Sequence, residues 1–176
     1  MVRIFKAAYL SKEREWNGLN WKKRMACVVA AAVLMLSAGC AKQSAAPRTA
    51  DVNAVADEIA KTVKFKDQMS PIAQKTAVNL YGLDAGDVAK ARVYESTGAT
   101  AEEVAAFEAK DDAAAAKAEQ ATQQRVEDQK AAFQDYQPKE MSKLKAPLIV
   151  RSGKYVVLVV ADDTSAAKTV TDKYFS

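Results

Sequence analysis

Residues Tyr155 to Val160, YVVLVV, contain β-branched residues, one aromatic and one leucine, and nothing polar. A strand sends successive side chains to opposite faces, so a run apolar at every position needs cover on both. It predicts a central, covered strand. Leu148 to Arg151 reads as its neighbour, and VRSGKYVVLVVA as a hairpin turning at Ser152-Gly153.

Helical spacing recurs elsewhere. Val52, Val55, Ala56, Ile59 and Val63 share one face of a helix over Asp51–Val63, with Asp51 as N-cap. The segment from Phe65 to Pro71 breaks it. Ile72–Tyr81 is weakly helical, and Gly82 suits the C′ position after it. Val88–Ser96 alternates as a strand does. Thr100–Tyr136 admits two readings. Local propensity gives one long helix, with Thr100 and Glu103 as a capping box. Alternatively, the stretch splits at Lys110-Asp111-Asp112 into a strand over Glu102–Ala109 and an aspartate-capped helix over Asp112–Tyr136. In either case Ala115, Ala118, Thr122, Val126, Gln129, Phe133 and Tyr136 form a stripe at helical spacing, which predicts core packing. Asp162-Asp163 cap a last helix to about Tyr174, with Ala166, Ala167, Val170 and Tyr174 inward.

The N-terminal third has another character. Lys22-Lys23-Arg24 precede an uncharged run, MACVVAAAVLMLSAGC, that closes on Ser37-Ala38-Gly39-Cys40. A helix of roughly 15 residues spans roughly 22 Å at 1.5 Å per residue, less than the roughly 30 Å hydrocarbon core. The run therefore fits the apolar region of an export signal. It resembles a lipobox, with Ser37 where leucine is usual and Leu36 one place further out. On this reading a peptidase cuts between Gly39 and Cys40, and the Cys40 thiol carries a diacylglyceryl group. An uncleaved signal anchor, or simple secretion after a cut near Ala38, are the alternatives. Residues 1–24 read as a long n-region or as an extension from an upstream start codon. Residues 40–50, with Pro47, read as a lipidated flexible tether, and residues 51–176 as a single domain.

Seven of the 26 Lys/Arg and two of the 22 Asp/Glu lie in residues 1–39, which leaves 19 basic and 20 acidic residues beyond them. The net charge of +4 thus belongs to the leader, and no basic footprint for nucleic acid remains. There is no histidine, and the two cysteines are Cys27 and Cys40. That removes any Ser-His-Asp or Cys-His arrangement, an imidazole metal ligand and a disulfide within residues 51–176. No phosphate-loop motif occurs around Gly153.

Several pieces together, DVNAVADEIAKTV, LYGLDAGDV, AEEVAAFEAKD running into FQDYQPKE, and VRSGKYVVLVVADDTSAAKTV, resemble a domain-of-unknown-function family of small lipoproteins from Gram-positive, clostridial-type bacteria. The resemblance covers essentially all of residues 40–176. It implies that Glu102–Ala109 is a strand, which favours the split reading. It implies a fold and an address, with no activity attached.

The expected architecture is α+β: a mostly antiparallel sheet of about four strands with helices packed on one face. The acidic pairs Glu102-Glu103, Asp111-Asp112 and Asp162-Asp163 offer no third ligand at a fixed offset. Gly82 is expected to serve a left-handed turn, with Tyr81 and Tyr155 packed and their hydroxyls at the rim. Lys139, Lys143 and Lys145 read as a solvated connector, with anionic lipid headgroups as the alternative role. No catalytic residue, metal site or cofactor is expected. The leading functional expectation is a non-catalytic binding or accessory module on the extracytoplasmic side of the cell membrane. It is held through Cys40 and has an envelope protein as a possible partner. The alternatives are a hydrolase using carboxylates or lysine, and a structural assembly partner.

Overall fold

The structure is a computed structural model and describes residues 49–176. The export-signal reading, with cleavage at Gly39 and lipid attachment at Cys40, lies outside the described residues.

The first helix, α1 (Val52–Thr62), starts where Asp51 accepts a hydrogen bond from the Asn53 N–H at 3.1 Å, and it buries Val52, Val55, Ala56 and Ile59. Ala50, expected at the end of the tether, is buried and donates its N–H to the Tyr155 hydroxyl. Strand β1 (Ser70–Ile72) follows, where only a helix break and the start of a weak helix were expected. Three residues are too few to display an alternation. Pro71, which has no N–H to give a ladder, fits only at a sheet edge, which is where β1 lies. Helix α2 (Gln74–Leu80) ends at Tyr81 and Gly82, whose φ of 61° is the left-handed conformation glycine adopts without strain.

Strands β2 (Val88–Glu95) and β3 (Glu103–Ala109) pair antiparallel, so the split reading is the right one. The sequence EVAAFEA is alanine-rich and locally suits a helix. It is a strand because it pairs on both sides, with β2 and with β5, and tertiary pairing outweighs propensity. Helix α3 (Asp112–Tyr136) is capped by Asp111, which accepts from the Ala114 N–H at 2.8 Å. The lysine-rich connector is a turn leading into a short helix, α4 (Met141–Lys145). Strands β4 (Leu148–Ser152) and β5 (Tyr155–Val160) form the expected hairpin. Its turn is one residue later than expected: Ser152 pairs with Tyr155, leaving Gly153-Lys154 in the loop with Gly153 at φ 54°. Helix α5 (Ser165–Phe175) closes the chain, and Asp163 accepts from the Ser165 N–H at its start.

The sheet has five strands in the order β1-β2-β3-β5-β4, all neighbours antiparallel. The α+β class holds, with β1 as the additional strand. The helices lie on both sheet faces rather than one. Ala91, Val93, Ala105, Phe107, Val156 and Leu158 pack with α2 and α3. Val104, Ala106, Val157 and Val159 pack with α1 and α5. The doubly apolar β5 is the physical reason, since one layer of helices leaves half of its side chains in water. Among the described residues no helix is long and apolar enough to cross a membrane.

Candidate functional site

At the end of β2 and the start of β3, the sheet and α3 diverge around a cavity of about 360 Å³, within the range of small-ligand sites. One wall is the loop joining the two strands. It is braced by the Ser96 hydroxyl, which donates to the Thr100 carbonyl at 2.6 Å, and by Thr97, whose N–H and hydroxyl both donate to Asp67. The other wall is the C-terminal half of α3, where Arg125, Asp128, Gln129, Ala132 and Phe133 project.

Glu102 and Glu103 lie at the floor, each 1% exposed. Burying a carboxylate is costly unless it is paired and hydrogen-bonded, and both are. Glu102 accepts from Lys143 Nζ at 2.9 Å, from the N–H groups of Lys66 and Asp67, and from the Thr100 hydroxyl. Burial alone would raise its pKa. The Lys143 bond and the two backbone donors outweigh that and hold it below the ordinary glutamate range. Lys143 is itself 2% exposed and also bonds Glu140 at 2.8 Å. It is therefore neither solvated nor available to lipid. Burial would lower its pKa, but Glu140 and Glu102 push it above the usual lysine value, so it stays a cation. Lys139 and Lys145 are exposed, as expected.

Glu103 points the other way. It accepts from the Tyr81 hydroxyl, from Arg125 Nε at 3.0 Å and Nη2 at 2.9 Å, and from Gln129 Nε2 at 2.8 Å. The Arg125 fork also reaches Glu95 Oε1 at 2.9 Å, so a single guanidinium serves two carboxylates. Tyr81 is fully inside and packs edge-on against Phe107 at 4.8 Å. Burial, and then the Glu103 charge, push its hydroxyl well above the usual tyrosine pKa, so it remains a donor. Tyr155 is likewise buried and stacks on Phe175 at 5.6 Å. The hydroxyls expected at the rim are both interior. Glu95 is pushed above the ordinary glutamate value by burial and by Glu103, against the pull of Arg125.

Two polar features at the cavity have no counterpart in the fold. Gln129 is 7% exposed, and its side-chain oxygen, Oε1, is buried without a hydrogen-bond partner. Asp128 is exposed, and only its Oδ1 is engaged, by Gln124 at 2.8 Å. No group of three or more Asp, Glu or Cys side chains among the described residues is placed to hold a metal ion. Of the acidic pairs weighed on sequence, only Glu102-Glu103 belongs to the cavity. Asp111 caps α3, and Asp162 pairs with Lys66 at 2.6 Å on the surface. Sequence reasoning passed over Arg125, took Gln129 for a core position and placed Lys143 in a solvated connector. The available signal was a charged and an amide residue beside or within the apolar stripe of α3, and Gln129 stood in that stripe as a core position.

A family described as Domain of unknown function (DUF4358) has a model that matches residues 61–161. The matched stretch contains every cavity residue and Lys143, and it begins after Cys40. No curated protein and no solved structure matches the chain.

Proposed function

The chain belongs to the DUF4358 family, and we propose that it is a lipid-anchored, extracytoplasmic binding module whose ligand enters the cleft between the β2–β3 loop and α3. The observation that carries the binding role is the charge arrangement at the floor. Glu102 and Glu103 are fully engaged by Lys143, Arg125, Tyr81 and Gln129, so the groups are held rigidly and are not free to exchange protons with a substrate. Such a preformed, braced cleft suits recognition. The address rests on the sequence alone: basic flank, short apolar run, small residues and Cys40.

A carboxylate-dependent hydrolase is the second reading, and one observation favours it. Glu95 lines the cleft with a raised pKa, as a general acid would. Against it, Glu95 Oε1 is held by Arg125, and Lys143, clamped as a cation between two glutamates, offers no free amine nucleophile. A structural assembly partner calls for a large exposed apolar patch. The exposed large apolar side chains among the described residues are Leu80 and Tyr136, on different helices.

Labelled palmitate fed to cells making the full chain tests the address. Label is expected on the wild type in the membrane fraction, with none on Cys40→Ala, which should accumulate uncut. A Cys40→Ala protein that is processed and retained like the wild type overturns the anchor. The binding role fails if no small molecule of either charge perturbs the NMR signals of Gln129 and Thr97.

A further inference from the structure

We infer that the cleft takes an organic cation, an alkylammonium or guanidinium group on a short apolar stem, with an N–H donor directed to Gln129. This deepens the binding-module reading and rests on it.

Charge is the first ground. Glu95, Glu102, Glu103 and Asp128 line the cleft, and the two cations among or against them are Arg125 and Lys143. Four carboxylates against two cations leave the region negative. The surplus lies toward the mouth, because Lys143 is spent on the floor and Arg125 is shared between Glu95 and Glu103.

The unpartnered acceptor is the second, independent ground. A primary amide has two donors and an acceptor oxygen with two lone pairs. Gln129 gives Nε2 to Glu103, and Oε1 is left buried with nothing to accept from. Leaving a buried polar atom without a partner is costly, so a donor that reaches it recovers more than a surface hydrogen bond provides. The unengaged oxygens Glu95 Oε2 and Asp128 Oδ2 are also acceptors. The cleft's donors are Arg125 Nη1 and the second Gln129 N–H, and they stand against a surplus of carboxylate charge, so the balance favours a cation over an anion. A metal ion is disfavoured, since the carboxylates do not form a chelating set.

The apolar side of the cleft is the third ground. Ala132 and the half-buried Phe133 ring line it, and Phe133 packs against Tyr136 at 6.2 Å. An aliphatic stem fits against that ring, and an ammonium near its face gains cation–π attraction. The raised pKa of Glu95 agrees, because a carboxylate under negative pressure from Glu103 is relieved by an incoming cation.

The test is calorimetric titration of the full chain in detergent with n-butylammonium and agmatine, set against butyrate, tetramethylammonium and Ca²⁺. Saturable binding of the two N–H-bearing cations is expected, at least tenfold tighter than butyrate or tetramethylammonium. Gln129→Leu should weaken it about tenfold, and Asp128→Asn, at an exposed position that leaves the fold intact, about threefold. Spermidine and Nα-acetyl-lysine amide separate a polyamine from a basic peptide side chain by whichever binds tighter. The inference is overturned if butyrate binds as well as butylammonium, if Ca²⁺ displaces butylammonium, or if Asp128→Asn and a folded Gln129→Leu both keep wild-type affinity. Butyrate binding at the same residues would leave the binding-module reading standing without this ligand class. A cleft indifferent to every probe would remove both.

Discussion

The two faces of the sheet bury different chemistry. Against α1 and α5 the sheet meets the apolar Val52, Val55, Ile59, Ala167 and Val170; the buried Thr171 on α5 returns its hydroxyl to the Lys168 carbonyl within its own helix, and the charged cluster on that side, Asp57 with Arg92 and Tyr94, is only partly buried. Against α3 the helix begins with Ala114, Ala115 and Ala118, which let it approach closely, and then turns polar inside, with Thr122, Gln129 and Glu103 all buried. The first face reads as a surface built for stability. The second carries buried charge and an orphaned amide oxygen in the region where the cavity opens. Local rules of packing are expected to be broken where a protein has a use for the break, and here the breaks cluster on one side.

The sharpest way to break this contrast is to remove the cation beneath the cleft. Lys143→Met leaves Glu102 buried with no cation to balance it, and the loss of one partner of a buried pair costs about 3–5 kcal/mol. Urea midpoints should fall accordingly, and Lys143→Met combined with Glu102→Leu should regain much of the loss. A single variant as stable as the wild type would mean that water reaches the floor. On the apolar face, Ile59→Ala should cost about 2–5 kcal/mol through cavity formation, with no effect on the cleft's ligand affinity. Enlarging the close contact on the other side, by Ala118→Leu, should cost about 1–3 kcal/mol from overpacking. An α3 that tolerates leucine there would show that the alanines are incidental.

Acid should also separate the groups. Glu102 has its folded pKa below the ordinary 4.5, so its stabilisation is complete above 4.5 and is lost as pH falls through the lowered folded value. Glu95 has the opposite sign. Its folded pKa is raised, so its contribution favours folding while it is protonated and is lost as pH rises from 4.5 through the raised value. Urea midpoints measured across this range should show the Glu95 slope vanish in Glu95→Gln and the Glu102 slope persist. The smallest effect belongs to the outer surface. Removing the exposed i,i+4 pair of Lys168 and Asp172 by Lys168→Ala should leave the midpoint unchanged within error.

The elements were largely legible. The doubly apolar Tyr155–Val160 run, the capped spacing of Val52–Thr62 and the aspartate before Asp112–Tyr136 are local patterns whose period or cap chemistry names the element. The resemblance, rather than propensity, separated β3 from α3. Strand β1 escaped because a three-residue edge pairing leaves no periodic trace. The one-faced helix layer misjudged what YVVLVV already required.

The sequence by itself determined the lack of histidine chemistry, read directly from composition, and most of the strands and helices, because each of those depends on residues close together in the chain. Tertiary structure alone decided the cleft. Glu102 and Lys143 are 41 residues apart, and Glu103 and Gln129 are 26. Whether a glutamate is a solvated charge or a buried, paired one depends on what the rest of the chain packs around it, and no local pattern carries that information.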